Sequence, residues 1–106
     1  MNEVAARARI VLGEASRPRL PRHARLHFDK ARGVTVILVP ERVLVPDETA
    51  VEVLEMCDGA ATLGSLIDRL AEKYAAERSQ IAADVIAMLQ ELADKGYLVD
   101  GGGPRP

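Results

Sequence analysis

Val34-Thr35-Val36-Ile37-Leu38-Val39-Pro40-Glu41-Arg42-Val43-Leu44-Val45-Pro46-Asp47-Glu48, residues 34–48, is where the chain changes from one kind of element to another. Val34 to Val39 is β-branched-rich and almost wholly apolar, so it reads as the central strand. Pro40-Glu41-Arg42 breaks it, and Val43-Leu44-Val45 resumes as a short strand closed by Pro46. Asp47 is then a natural N-cap, with Glu48 acidic in the first turn of a helix.

Upstream, Ala24, Leu26 and Phe28 alternate with Arg25 and His27, the pattern of a half-buried strand. Asp29-Lys30-Ala31-Arg32-Gly33 supplies the hairpin turn, with Gly33 free to take positive φ. Three antiparallel strands in sequence make a meander. Downstream, the first helix carries Ala50, Val51, Val53, Leu54 and Cys57 inward and is expected to end at Gly59. Thr62 caps a second helix with an apolar stripe of Leu63, Leu66, Ile67, Leu70 and Tyr74. Ser79 is the expected cap of a third, whose stripe is Ile81, Val85, Met88, Leu89 and Leu92, with Gly96 as its stop. Tyr97-Leu98-Val99 is short and apolar and packs back. Strands first and helices after mean an α+β fold: a three-stranded antiparallel β-meander followed by a three-helix bundle, winged-helix-like in outline.

A chain of 106 residues fits one domain. Residues 1–22 read as a flexible basic leader or linker, because Arg17-Pro18-Arg19-Leu20-Pro21-Arg22 forces extended backbone. The ordered domain is expected over 23–99, and 100–106, a Gly- and Pro-rich end, as a disordered tail. Residues 1–25 hold six arginines against Glu3 and Glu14, whereas the rest of the chain is acidic and the net charge is −2. No run approaches the roughly 18–20 apolar residues of a membrane span, and Arg7 and Arg9 interrupt any signal-like stretch. The expected compartment is cytoplasmic, with no membrane partner.

No catalytic constellation emerges. Cys57 is the single cysteine, sits on a core-facing stretch and has no flanking cation to activate it. His23 and His27 would lie about 13 Å apart along a strand, too far to share a metal. Asp68, Glu72, Asp84, Glu91 and Asp94 fall on outer helix faces, where nothing splits their pKa values for acid–base work. No enzyme activity, metal or cofactor is therefore expected. A winged-helix outline raises nucleic-acid binding as an alternative, but the third helix shows Gln80, Asp84, Gln90, Glu91 and Asp94, which phosphates would repel. Self-association through an exposed strand edge is the other alternative.

From Arg17 to Val99 the chain resembles the PqqD family, the peptide chaperones of pyrroloquinoline quinone (PQQ) biosynthesis. The resemblance rests on Arg17-Pro18 with Leu20, on Ala24-Arg25-Leu26, and on Ile37-Leu38-Val39-Pro40-Glu41-Arg42-Val43. It continues in Asp58-Gly59 and in Ile81-Ala82-Ala83-Asp84-Val85 leading to Gly96-Tyr97-Leu98. Pro40-Glu41-Arg42 is its most specific segment. The resemblance implies a RiPP recognition element: a domain that binds the PqqA precursor peptide and presents it to the radical-SAM enzyme PqqE, with no catalytic residue of its own. It also implies that the peptide adds as a strand to the edge of the meander beside the third helix.

Physics is compatible with that role. Val43-Leu44-Val45 is third of three strands and has no charge in its interior to protect its edge. The expected peptide-binding residues are Arg42, Val43, Leu44 and Val45 on that edge, with Val85, Met88, Leu89 and Leu92 on one flank of the third helix. The helix residues also belong to its core stripe. Arg42 is the cation placed to meet a peptide carboxylate.

Overall fold

The structure is a computed structural model, and it describes residues 9–101. Among these residues two small sheets and three helices share one core. Strand β1 is Pro18–Arg19, β2 is Arg25–Asp29, β3 is Val34–Val39 and β4 is Arg42–Leu44. Helices α1, Glu48–Glu55, α2, Leu63–Tyr74, and α3, Arg78–Asp94, follow, and β5, Val99–Asp100, ends the order. The meander has the order β2-β3-β4, antiparallel throughout, so β3 is central as expected.

Local chemistry builds these elements. Asp29 Oδ1 accepts from the amides of Ala31 and Arg32, and Gly33 takes φ 72° to close the β2–β3 turn. Asp47 Oδ1 accepts from Ala50 N at 2.8 Å and Thr62 Oγ1 from Ser65 N at 3.2 Å, the two expected side-chain caps. Helix α3 differs. Its N-cap is Glu77, without a side-chain bond, and Ser79 lies inside the first turn. The start of α3 is held instead by the adjacent Arg78, whose guanidinium spans Glu14 (2.8 and 2.9 Å) and Asp68 (2.5 Å). The α1 helix also stops early, at cap Met56. Gly59, the expected stop, instead lets the chain pass close to β1. Its amide donates to Pro18 O, and a Cβ there would stand 2.8 Å from Arg19 Cδ.

The core joins Ile37 of the sheet to Val53 and Leu54 of α1, Leu63, Leu66, Ile67 and Leu70 of α2, Val85, Leu89 and Ala93 of α3, and Leu98. Cys57 belongs to it, and burial pushes its thiol up to about 12, the inert character expected of it.

The largest departure from expectation is at the N-terminus. Residues 9–22 are not a loose leader; the chain is packed well before His23. Leu12 is only 6% exposed and Ser16 and Pro18 are buried. β1 pairs with β5 in a second, two-stranded sheet, which also draws Asp100 and Gly101 out of the expected tail; Gly101 N donates to Arg17 O at 2.7 Å. Residues 10–12 run along α3, where Gln90 reads their backbone twice. Its Nε2 donates to Ile10 O (2.6 Å) and its Oε1 accepts from Leu12 N (2.9 Å). Arg9 closes the strap on Asp94. The segment packs here because α3 offers the Asp94 carboxylate to Arg9, the Gln90 amide to the backbone of residues 10–12 and the Arg78 guanidinium to Glu14. Residues 1–8 and 102–106, assigned to the leader and tail, lie outside the described residues.

The strap has a pH signature. Arg78 holds the Glu14 carboxyl below its ordinary value of 4.5, and Arg9 with Gln90 holds Asp94 below its ordinary value of 3.8. A depressed folded pKa means the contribution is present above the ordinary carboxylate range and is lost as pH falls through the folded value. Carboxyl NMR titration of Glu14 is expected to show a midpoint below 4.5 that rises towards 4.5 in Arg78→Met.

Candidate functional site: an open strand edge beside the third helix

The β3–β4 turn fixes the site. Only Pro40 and Glu41 separate the paired residues Val39 and Arg42, and Glu41 takes φ 69°. Proline followed by a positive φ is the type II pattern, unusual here in using Glu where Gly is favoured. In a two-residue hairpin the flanking pair, Val39–Arg42, is hydrogen-bonded to itself. The next residue, Val43, therefore aims its N–H and C=O away from β3, and among the described residues no strand lies on that side. β4 is an edge with main-chain groups to offer.

Side chains alternate about this edge. Arg42 and Leu44 fall on the face that meets the helices, while Val43, opposite Leu38, faces outward. On the helix side lies a groove of about 550 Å³ lined by Ile37, Arg42, Leu44, Val45, Pro46, Leu92, Lys95 and Tyr97. Its floor is apolar: Leu44 stands across from Ile37, and Leu92 closes it from α3. Val43 and Val45 are 48% and 56% exposed, which makes this edge apolar on its open side among the described residues.

The expected residues thus separate into groups. Arg42, Leu44, Val45 and Leu92 come together in the groove. Val43 stands on the same edge and reaches it through its backbone. Val85 and Met88 lie apart, in a neighbouring hollow of about 240 Å³ formed with Asp47, Thr49, Val53 and Asp84. Leu89 is 0% exposed and is wholly core. The difference follows from helical phase: Leu89 points at the centre of the domain, whereas Met88 and Leu92 lie to one side of it and are only partly buried.

Lys95 and Tyr97 line the groove without having been expected there. Tyr97 is positioned by the end of α3. Gly96 takes φ 87°, its amide donates to Ala93 O, and Tyr97 N donates to Leu92 O at 2.9 Å, a Schellman closure. Arg42 Nη1 then donates to Tyr97 Oη at 3.3 Å, bridging β4 to the helix end. The available signal was Lys95-Gly96-Tyr97 itself: a glycine stop throws the following side chain back across the helix terminus.

Among the described residues, no group of three or more His, Cys, Asp or Glu side chains is arranged to hold a metal ion. No helix among them is long and apolar enough to cross a membrane.

Comparison with known proteins places this geometry. A family model described as Coenzyme PQQ synthesis protein D (PqqD) matches residues 35–98. A PqqA binding protein of Rhodopseudomonas palustris (strain BisB5) is 57% identical over 97 residues, covering 92% of this chain and 95% of that protein. The solution structure of the PqqD truncation of Methylobacterium extorquens PqqCD, described as a functional and stand-alone RiPP recognition element, superposes with a TM-score of 0.72. It is 38% identical, over 87% of this chain and 97% of that one. The crystal structure of PqqD from Xanthomonas campestris gives a TM-score of 0.50 at 35% identity, over 80% and 94% of the two chains.

Proposed function

The chain belongs to the PqqD family, and from that membership we propose that it binds the PqqA precursor peptide and presents it to the radical-SAM enzyme PqqE in PQQ biosynthesis. The observation that carries the reading is the unpaired edge of β4 lying along an apolar groove. An extended peptide added to that edge gains main-chain hydrogen bonds at Val43, which supply affinity, and inserts alternate side chains into the groove, which supply specificity. Arg42, Leu44, Val45 and Leu92 form the contact surface, with Lys95 and Tyr97 completing it; Val85 and Met88 extend it along α3 if the peptide continues past the strand. The domain contributes binding and orientation, and the chemistry belongs to the enzyme that receives the peptide. The cytoplasm is the compartment this reading assumes.

The relatives named PqqA binding protein support this reading over a nucleic-acid role. So does α3, whose outward residues are mainly acidic or amide-bearing.

Titration of the ¹⁵N-labelled chain with PqqA peptide tests the proposal. Amide shifts are expected to concentrate at Arg42–Val45 and at Leu92, Lys95 and Tyr97. Shifts confined to α1 and α2 would remove the site from this groove. Size-exclusion of the peptide-loaded chain with PqqE tests presentation; a ternary peak is expected.

A further inference from the structure

The apolar groove beside β4 is capped by two cations, Arg42 from the strand and Lys95 from the end of α3. We propose, resting on the peptide-binding reading of this groove, that Arg42 and Lys95 form a carboxylate clamp. It selects an extended segment carrying an acidic and an apolar side chain two residues apart.

Arg42 is left available by its surroundings. Arg9, Arg32 and Arg78 each pair with a carboxylate. Among the described residues no carboxylate pairs with Arg42; its guanidinium donates instead to the hydroxyl of Tyr97. A guanidinium has five N–H donors, so accepting one of them orients Arg42 without neutralising it or consuming its fork. Tyr97 is in this sense a positioning residue, held in turn by the Gly96 closure. Among the described residues Lys95 pairs with Glu91, at 3.2 Å on an open helix surface, a contact that a better-placed carboxylate displaces.

The spacing follows from strand geometry. Arg42 and Leu44 share one face of β4. A strand laid against this edge sets its residues opposite them, two apart and on that same face, with Cβ atoms about 4.5–5.5 Å away. The residue opposite Arg42 stands where a carboxylate is held by the fork of Arg42 and the ammonium of Lys95. The residue opposite Leu44 drops onto the floor made with Ile37 and Leu92. A lysine or arginine opposite Arg42 meets two like charges and is rejected.

Fluorescence anisotropy with the full chain and labelled PqqA peptide tests this, with each acidic residue of the peptide changed in turn to its amide. One such change is expected to weaken binding to the unaltered protein at least tenfold and to Arg42→Met less than twofold. Lys95→Met is expected to lose several-fold, and Tyr97→Phe a few-fold with the charge intact. Changing the apolar residue two positions from that acid to alanine should weaken binding to the unaltered protein and to Arg42→Met alike. The salt dependence of binding should flatten in Arg42→Met. If the unaltered protein binds the peptide but no acidic change couples to Arg42, the clamp is overturned and strand addition stands. If the unaltered protein does not bind the peptide, the binding reading falls and takes the clamp with it.

Discussion

Val43→Pro is expected to abolish most peptide binding, a loss of at least ~30-fold or about 2 kcal/mol, while the domain remains folded. The argument is purely one of backbone. Val43 follows the hydrogen-bonded pair that closes the β3–β4 hairpin, so its N–H points to open space and holds up no bond of the meander. Proline is tolerated on edge strands where the N–H faces outward, and the preceding Arg42 is already extended, as a residue before proline must be. The folded state therefore loses little, and its melting temperature should fall by only a few degrees. An incoming strand loses a donor at the centre of its register and meets the ring where it needs to approach. Val43→Ala is the control. It keeps the N–H and removes a side chain on the outward face, so binding should change less than about threefold. Isothermal titration calorimetry with PqqA, beside a thermal melt, separates the two. Retained binding by Val43→Pro would move the peptide off this edge, with β2 as the other free edge of the meander.

Leu12→Ala is expected to destabilise the domain by about 2–4 kcal/mol, the usual cost of emptying a core leucine site. For a domain of this size, that lowers the melting temperature by roughly 8–30 °C. Leu12 is buried in the common core although, among the described residues, it lies ahead of the strands and helices. Its backbone is held by Gln90, so truncation leaves a cavity under a segment that stays in place. The strap lies on the Gln90 and Asp94 flank of α3, and the groove on the Leu92 and Lys95 flank. Peptide affinity per folded molecule should therefore remain near that of the unaltered protein at low temperature. Urea denaturation and calorimetric melting measure the first effect, and anisotropy below the transition measures the second. A stability change under 0.5 kcal/mol, the ordinary range for a surface substitution, would mean that the strap contributes nothing.

The two predictions also mark where expectation from sequence ends. The meander, the caps Asp47 and Thr62, the turn glycine Gly33 and the helix stop Gly96 depend on residues within a few positions of each other, and their side chains declare the conformation locally. Ser79 misled because a serine two residues ahead of a helical stripe is a good cap in isolation. The helix starts earlier because Arg78 is anchored by Glu14, 64 positions away. Leu89 misled because stripe membership does not say which residue of a stripe meets the core head-on.

What the sequence by itself determined is the order and kind of the elements and the hydrophobic edge at residues 43–45. Alternation, helical periodicity, capping and turn chemistry are short-range constraints that the chain carries with it. Tertiary structure alone decided the strap, the pairing of β1 with β5, and the meeting of Arg42 with Tyr97 across the groove. Gln90 bonds to residues 78 and 80 positions back, and Arg9 to a carboxylate 85 positions on. Such contacts leave no periodic trace in the chain, because nothing in Arg9 or Gln90 indicates its partner until the three helices have packed and brought both to one surface.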